Sequence, residues 1–417
     1  MGRIEIGELT RVEGIGKLEV VLDDGIVKDV KVKLIEGLRF FEVITRGLSF
    51  YDVPDIEARI CAICHASHSV ASCIAIENAL GIKVSKETQL LRELLLMGEL
   101  LESHALHLYF LVSPDLFGAP DVIEVAKKDR ELFEEGLSIL ETGNIIRELL
   151  GGRPIHGINV KPGGFSRYPT EDELLVIKNK LEKLLEGKLK ILSIIKEMSH
   201  MGEIKNCAHI VCMDEYLYGD KILSSTGVEA KDYRELLEET SQEYTNAKHI
   251  TLDGKTVVTG ALSRVFLKED KLSKMAKELR EELLLDESYI TYNNIAQAVE
   301  IVHAIERSLE IIKTLLSRSS KPKEPKLKRE SGEGIGYVEA PRGVLVHHYR
   351  IEDKNVIYSN IITPTAINQR SMEVATISAL QSLKRPIREH IIRSTAEYVI
   401  RAFDPCISCS VHVTNIH

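Results

Sequence analysis

Two cysteine pairs stand at opposite ends of this chain, and they constrain its fold more than any other feature. The first, Cys61 and Cys64, lies in Arg-Ile-Cys-Ala-Ile-Cys-His-Ala-Ser-His (59–68). The second, Cys406 and Cys409, lies in Asp-Pro-Cys-Ile-Ser-Cys-Ser-Val-His (404–412). If the two pairs meet, they make a pocket of four thiolates, and only the finished fold can bring them together. Thiolates select soft or borderline metals. By spacing alone the pocket suits a closed tetrahedral zinc ion, an iron–sulfur cluster, or a redox metal with open positions. The flanks favour the last. His65, His68 and His412 follow the pairs, and Arg59 and Asp404 precede them. A purely structural ion does not need such groups, whereas thiolates that must be tuned or protonated do.

The chain has 417 residues and a formal charge of −9, enough length for a large core and no basic excess to suggest nucleic acid. Its apolar runs are short and broken by charge, so no transmembrane helix is expected, and the first residues lack a signal-peptide core. Seven cysteines, four of them in the pairs, leave Cys73, Cys207 and Cys212. An odd total without an export signal points to reduced thiols in the cytoplasm. Cys73, on a helix running through Ala71 to Leu80, reads as core. Cys207 and Cys212 read as buried structural cysteines, because no matching ligand pair lies nearby.

Four stretches together carry a resemblance. Thr-Arg-Val-Glu-Gly (10–14), Arg-Ile-Cys-x-x-Cys-x-x-x-His (59–68), Glu-Ala-Pro-Arg-Gly (339–343) and Asp-Pro-Cys-x-x-Cys-x-x-His (404–412) resemble, in order, the large subunit of nickel–iron hydrogenases. Glu-Ser-His-Ala-Leu-His-Leu-Tyr (102–109) and the C-terminal motif are similar to the cytoplasmic, multi-subunit branch, which includes sulfhydrogenases and coenzyme-linked enzymes. The resemblance implies one large-subunit domain over residues 1–417. Its fold is α+β and mainly α, with a long central helix bundle and N-terminal and late β-hairpins.

It also implies roles. Cys61 and Cys406 become terminal nickel ligands, and Cys64 and Cys409 bridge nickel to an iron that carries carbon monoxide and cyanide. Glu13 is the first proton acceptor, a job a carboxylate suits near neutral pH. Arg342, after Pro341, holds a permanent charge over the open metal position, with Asp404 orienting it. His68 donates a hydrogen bond to a thiolate. Glu42 and His412, with a backbone carbonyl near Gln369, hold magnesium or a second iron; hard oxygen ligands fit such a cation. Two positions depart from the pattern: Ala62 stands where glycine is common, and Ser103 where respiratory relatives often have aspartate.

Periodicity fills in the rest. Residues 17–34 alternate as a hairpin around Asp-Asp-Gly. Residues 37–51 read as a short helix. Long amphipathic helices are expected at 86–112, 171–200 and 294–317. His104 and His107 share a helix face and suit core hydrogen bonding better than metal binding. The glycine-rich loop of residues 151–157 and 161–165 lacks a P-loop pattern, and the resemblance places it near the pocket, in a lining role. Residues 318–336 read as a solvated surface loop. A second hairpin follows at 343–349 and 355–362, and a final helix over 386–403 delivers Asp404 and the last cysteines.

Too few cysteines remain for electron-transfer clusters, so an iron–sulfur small subunit is the expected partner, with diaphorase subunits if the acceptor is a pyridine nucleotide. Maturation factors and an endopeptidase that removes Val413–His417 after His412 complete the expectation. Two other classes stay open at this point: a metal-free hydrogenase-related electron-transfer subunit, and a zinc-stabilised interaction protein.

Overall fold

A computed structural model describes residues 2–36, 40–186, 189–192, 204, 208–283, 286–317, 326–384 and 388–411. Cys207, His412 and the tail 413–417 lie outside the described residues, as do parts of the expected helices at 37–51, 171–200 and 386–403.

The chain opens with a three-stranded antiparallel sheet, β1 (Gly2–Glu8), β2 (Gly16–Asp23) and β3 (Ile26–Leu34). The expected hairpin is β2–β3, and Asp24-Gly25 forms its two-residue turn with both φ positive, at 49° and 72°. That backbone matches the right-handed twist of the strands, which is why Asp-Gly favours such turns. Two short helices follow, α1 (Phe41–Ile44) and α2 (Val53–Glu57). Then come α3 (His65–Leu80), α4 (Lys86–Ala105), α5 (Arg130–Gly151) and α6 (Glu171–Glu186). The helix expected over 86–112 is α-helical only to Ala105; Leu106–Val112 continue it as a π-helix.

Residues 208–258 carry structure that periodicity did not reveal. Six short strands, β4 (His209–Met213), β5 (Ile222–Ser224), β6 (Glu229–Ala230), β7 (Glu238–Thr240), β8 (His249–Leu252) and β9 (Lys255–Val258), form one sheet in the order β6-β5-β4-β9-β8-β7. Most are two to four residues long, too short for an alternation signal. Helices α7 (Ala261–Leu267) and α8 (Tyr292–Leu316) lead to a third sheet, β10 (Gly332–Ala340), β11 (Gly343–Glu352) and β12 (Asn355–Ile362). The chain ends with α9 (Pro364–Ser382), α10 (Glu389–Ala402) and the single turn α11 (Ile407–Ser410). Helices α3, α4, α5, α6 and α8 share one apolar core that includes the four paired cysteines, so the expected bundle is present.

The expected loop at 318–336 needs correction. Residues 318–325 lie outside the described residues, but Gly332-Glu-Gly-Ile-Gly336 is the first half of β10. Its glycines do not loosen the chain; they let a helix touch it. A methyl at Gly332, Gly334 or Gly336 would overlap the backbone carbonyl of Ala79, Ala75 or Ala71 in α3. The spacings fit, since four residues of helix rise about 6.0 Å and two of strand about 6.6 Å. Alanine on the helix and glycine on the strand remove every side chain that would hold the two backbones apart. Helix α3 begins next to Cys64, and β10 runs into Pro341–Arg342. The interlock therefore fixes the distance between the first cysteine pair and Arg342.

Gly336→Ala should lower folding stability by about 1–3 kcal/mol through overpacking, read as the shift in a urea midpoint. Gly7→Ala, where a methyl meets open space, should change it by less than about 0.5 kcal/mol. Equal effects at the two sites would show that the contact is not tight.

Candidate metal centre

The first cysteine pair sits on the turn that enters α3. Cys61 Sγ accepts hydrogen bonds from the backbone N–H groups of Ile63 and Cys64, both at 3.3 Å. From behind, Arg147 on α5 donates to the carbonyls of Ala62 at 2.9 Å and Ile63 at 3.1 Å, and pairs with Glu102 at 3.0 Å. Glu99 on α4 accepts the N–H groups of Ala66 and Ser67 at 2.7 and 3.0 Å. It thereby caps α3 from another helix, and its burial pushes its own carboxyl up to about 7. Ala62 carries no left-handed strain and faces outward, so the departure from glycine is accommodated.

The second pair sits on the segment after α10. Asp404, with φ 50°, turns the chain inward. Cys406 pairs with Glu13 in a parallel bridge; Ile407 N donates to Glu13 O at 3.0 Å and Cys406 N to Thr365 Oγ1 at 2.9 Å. The two ends of the chain are thus stitched together. Arg401 on α10 donates to Thr10 O at 2.6 Å and to Asp115 Oδ2 at 2.7 Å. Arg11, itself left-handed at φ 56°, donates to Leu111 O at 2.7 Å and also pairs with Asp115.

The pairs meet. Cys61 Sγ lies 3.3 Å from Cys406 Sγ, Cys64 Sγ 3.3 Å from Cys409 Sγ, and Cys406 Sγ 2.7 Å from Cys409 Sγ. All four sulfurs lie within 4.8 Å of one another, and all four residues are buried. Burial opposes ionisation of Cys61, but hydrogen bonds from Cys406, Cys409 and Cys64 outweigh it and hold its thiol well below the usual range. Cys64 also receives bonds from Cys406 and Cys409, yet its bond to Cys61 and its burial push it up to about 11. Burial raises Cys406 and Cys409 as well. A set of four desolvated sulfurs, one of which ionises readily, is a donor set for a soft or borderline cation, so the residues fit nickel and iron.

A cavity of about 10 Å³ adjoins the sulfurs, lined by Cys64, Cys406, Cys409, His68, Ala340 and Arg342 among others. Arg342 donates from Nε to Asp404 O at 2.7 Å, from Nη2 to Asp404 Oδ1 at 2.9 Å and from Nη1 to Ser103 Oγ at 3.3 Å. Gln297 Nε2 donates to the other Asp404 oxygen at 3.0 Å, and Gln297 Oε1 accepts from His107 Nδ1 at 2.6 Å. His104 bonds Glu300 at 2.8 Å, so both histidines serve the core as expected. Glu13 accepts from Ser408 N at 3.0 Å and from the Ser408 hydroxyl. Its burial, then the nearby Cys61 charge, raise its carboxyl above the ordinary value.

His68 lies at the pocket, and its Nδ1 meets His347 Nε2 at 3.0 Å; His347 in turn meets Tyr349 Oη at 2.6 Å. Glu42 accepts Ile361 N at 2.8 Å and lies 3.6 Å from the Lys248 ammonium. Gln369 donates to Val32 O at 3.0 Å and Thr245 Oγ1 at 2.8 Å, while its buried Oε1 has no hydrogen-bond partner among the described residues. Of the expected pocket-lining loop, Pro154 O meets His65 Nε2 at 3.0 Å and Gly157 N meets His65 Nδ1 at 3.3 Å, one residue from Cys64. Burial, reinforced by Arg147, pushes the His65 imidazole down to about 3. Sequence reasoning missed Arg147, Glu99, Gln297, Thr365 and Lys248. The signal for Arg147 was a charge on the apolar face of a helical pattern, beside Ile146 and Leu150; for the others we find none.

Comparison with known proteins agrees with this geometry. The family described as nickel-dependent hydrogenase matches residues 39–142 and 184–412. Sulfhydrogenase 2 subunit alpha of Pyrococcus furiosus is 48% identical over 417 residues, covering 99% of this chain and 100% of that protein. Sulfhydrogenase 1 subunit alpha of the same organism is 38% identical, covering 99% and 98%. Among solved structures, an NAD+-reducing [NiFe]-hydrogenase in the H2-reduced state superposes with a TM-score of 0.87 at 25% identity, covering 99% and 100%.

Arg147→Ala should strand the Glu102 carboxylate and release two loop carbonyls. Losing one partner of a buried ion pair costs about 3–5 kcal/mol. The variant should hold less nickel per chain than the parent after identical purification, measured by elemental analysis. Full metal content at unchanged stability would show that the clamp is dispensable.

Proposed function

The chain belongs to the nickel-dependent hydrogenase family, and we propose that its four sulfurs, Glu13 and Arg342 form the site at which this catalytic subunit splits H2. A nickel–iron hydrogenase converts H2 reversibly to two protons and two electrons. The observation that carries the assignment of residues is the convergence of four buried sulfurs from both ends of the chain, with a carboxylate on one side and a guanidinium on the other.

Cys61 and Cys406 would hold nickel, and Cys64 and Cys409 would hold nickel together with an iron that carries carbon monoxide and cyanide. When bound, that pair of metals would polarise H2. Glu13 would take a proton from the Cys406 sulfur it adjoins, and the Ser408 hydroxyl and N–H, which donate to its carboxylate, hold it in place; its raised affinity for protons suits that exchange near neutral pH. Arg342 keeps a permanent positive charge at the cavity, and Asp404 fixes its direction through a two-point contact. His347 and Tyr349 fix the ring of His68 beside the pocket.

Glu42 and Gln369 would serve a hard cation with His412. The buried Gln369 Oε1, without a hydrogen-bond partner among the described residues, supports that reading. Electrons would leave through an iron–sulfur small subunit. Sulfhydrogenase alpha subunits are by name parts of larger assemblies, and the relation to an NAD+-reducing enzyme favours diaphorase subunits beyond it. No helix among the described residues is long and apolar enough to cross a membrane, which fits a cytoplasmic complex. The family match ends at His412, and Val413–His417 beyond it would be removed by an endopeptidase once maturation factors have loaded the metal.

The test uses the complex made with its maturation system. Nickel and iron should be found together, and H2 should reduce one of NAD, NADP, deazaflavin, ferredoxin or sulfur. Zinc alone, or no metal, overturns the assignment. Glu13→Gln should keep both metals and lose about 10²–10⁴-fold in H2 oxidation, the usual worth of a positioned base. Intact mass of the loaded chain should end at His412; an active, loaded chain that retains Val413–His417 refutes the processing step.

A further inference from the structure

We propose that Arg264 is a positioning residue for Arg342, holding from behind the turn that presents Arg342 to the sulfur pocket. The inference rests on the reading that Arg342 acts at that pocket.

Strands β10 and β11 pair to their last residues, Ala340 with Gly343, so Pro341–Arg342 is a two-residue turn. Hairpin turns ordinarily lie in water, which satisfies their outward carbonyls. This one is buried: Ala340 is 2% and Arg342 4% exposed. Proline gives the turn no N–H, and a buried carbonyl needs a donor. Arg264, itself fully buried, supplies two. Nη1 donates to Ala340 O and Nη2 to Pro341 O, each at 2.9 Å.

The same guanidinium is anchored on its other edges. Nε and Nη2 donate to the two oxygens of Glu300, both at 2.6 Å, and Nη1 donates to Glu339 Oε2 at 2.9 Å. Glu300 is fixed in turn by Tyr216 Oη at 2.7 Å and His104 Nε2 at 2.8 Å, and Glu339 by Met213 N at 2.7 Å. Arg264 therefore bonds three consecutive residues, 339 to 341, and Arg342 is the next. On the far side of the turn, Val344 N donates to Thr259 Oγ1 at 2.9 Å, so the segment 259–264 grips both flanks of Arg342.

A buried arginine whose task was only charge balance would need Glu300 and Glu339. Two of its five bonds go instead to carbonyls that belong to the turn. Lysine cannot substitute, because a single ammonium cannot serve acceptors arranged around a planar fork.

The test compares Arg264→Lys, Arg342→Lys and the double variant in the matured complex. We expect Arg264→Lys to keep nickel and iron, to lower kcat for H2 oxidation about 10–100-fold, the scale of an ångström misplacement, and to leave the KM for H2 within about twofold. Its nickel EPR spectrum should shift as that of Arg342→Lys does. In the Arg342→Lys background, Arg264→Lys should add less than about twofold, because it acts through the residue already lost. A loaded Arg264→Lys enzyme with kcat within twofold of the parent overturns the proposal, as does a loss that multiplies fully with that of Arg342→Lys. If Arg264→Lys takes up no metal, the crystal structure of the unloaded chain decides: a displaced 340–343 turn in an otherwise intact fold supports the proposal, and an unmoved turn refutes it. If the variant does not fold, Glu339→Asp, which shortens one anchor and keeps its charge, must show the same dependence on Arg342 or the proposal fails. Full activity in Arg342→Lys alone would instead refute the role given to Arg342, and that failure is visible without Arg264.

Discussion

Four sulfur atoms held within 4.8 Å of one another and out of water set the terms for everything around them. Two ionised sulfurs 3.3 Å apart would repel by about 5 kcal/mol at an effective dielectric of about 20. Without a cation such a cluster cannot keep all its sulfurs ionised, and burial raises Cys406 and Cys409 accordingly. Positive charge has to come from a bound metal and from buried arginines. Such a pocket cannot hold itself together, so its geometry is imposed from outside.

That imposition is done by backbone contact and by buried guanidinium groups. The alanine–glycine interlock sets α3 against β10 with no side chains between them, which leaves little freedom to slide. Arginines then take the carbonyls of the motif segments: Arg147 those of Ala62 and Ile63, Arg401 that of Thr10, Arg264 those of Ala340 and Pro341. The carbonyls of Ala340 and Pro341 are buried and cannot reach water, and those of Thr10, Ala62 and Ile63 are partly buried. A planar, permanently charged fork can satisfy several carbonyls and still meet a carboxylate, which an amide or an ammonium cannot.

The two ends of the chain were legible in the sequence and the middle was not. Cys61, Cys64, Cys406 and Cys409 announced themselves because thiolate pairs have few other uses, and Asp24-Gly25 fixed a turn by its own dihedral demands. Glycine at 332, 334 and 336 misled, since the same residues that loosen a loop also admit a helix to a strand; only the alanines at 71, 75 and 79, far away in sequence, resolve the ambiguity. The strands of 208–258 were hidden by their brevity. The arginine clamps were hidden because a charge within an apolar run looks like an ordinary surface position until its carbonyl partners, 84 and 85 residues distant for Arg147, are known.

Ser103 shows how far such a framework can carry a family pattern through a change of chemistry. Where an aspartate would offer a second carboxylate to Arg342, this chain offers a hydroxyl at 3.3 Å, and Asp404 is the carboxylate paired with the guanidinium. One carboxylate can neutralise Arg342 only once. The sulfurs of Cys406, Cys64 and Cys61 then contribute directly to holding its proton, after burial and Asp404 have set the balance. The guanidinium is therefore shared between the carboxylate and the pocket. Its direction no longer follows from a symmetrical pair of carboxylates and has to be fixed through the backbone of the turn that bears it.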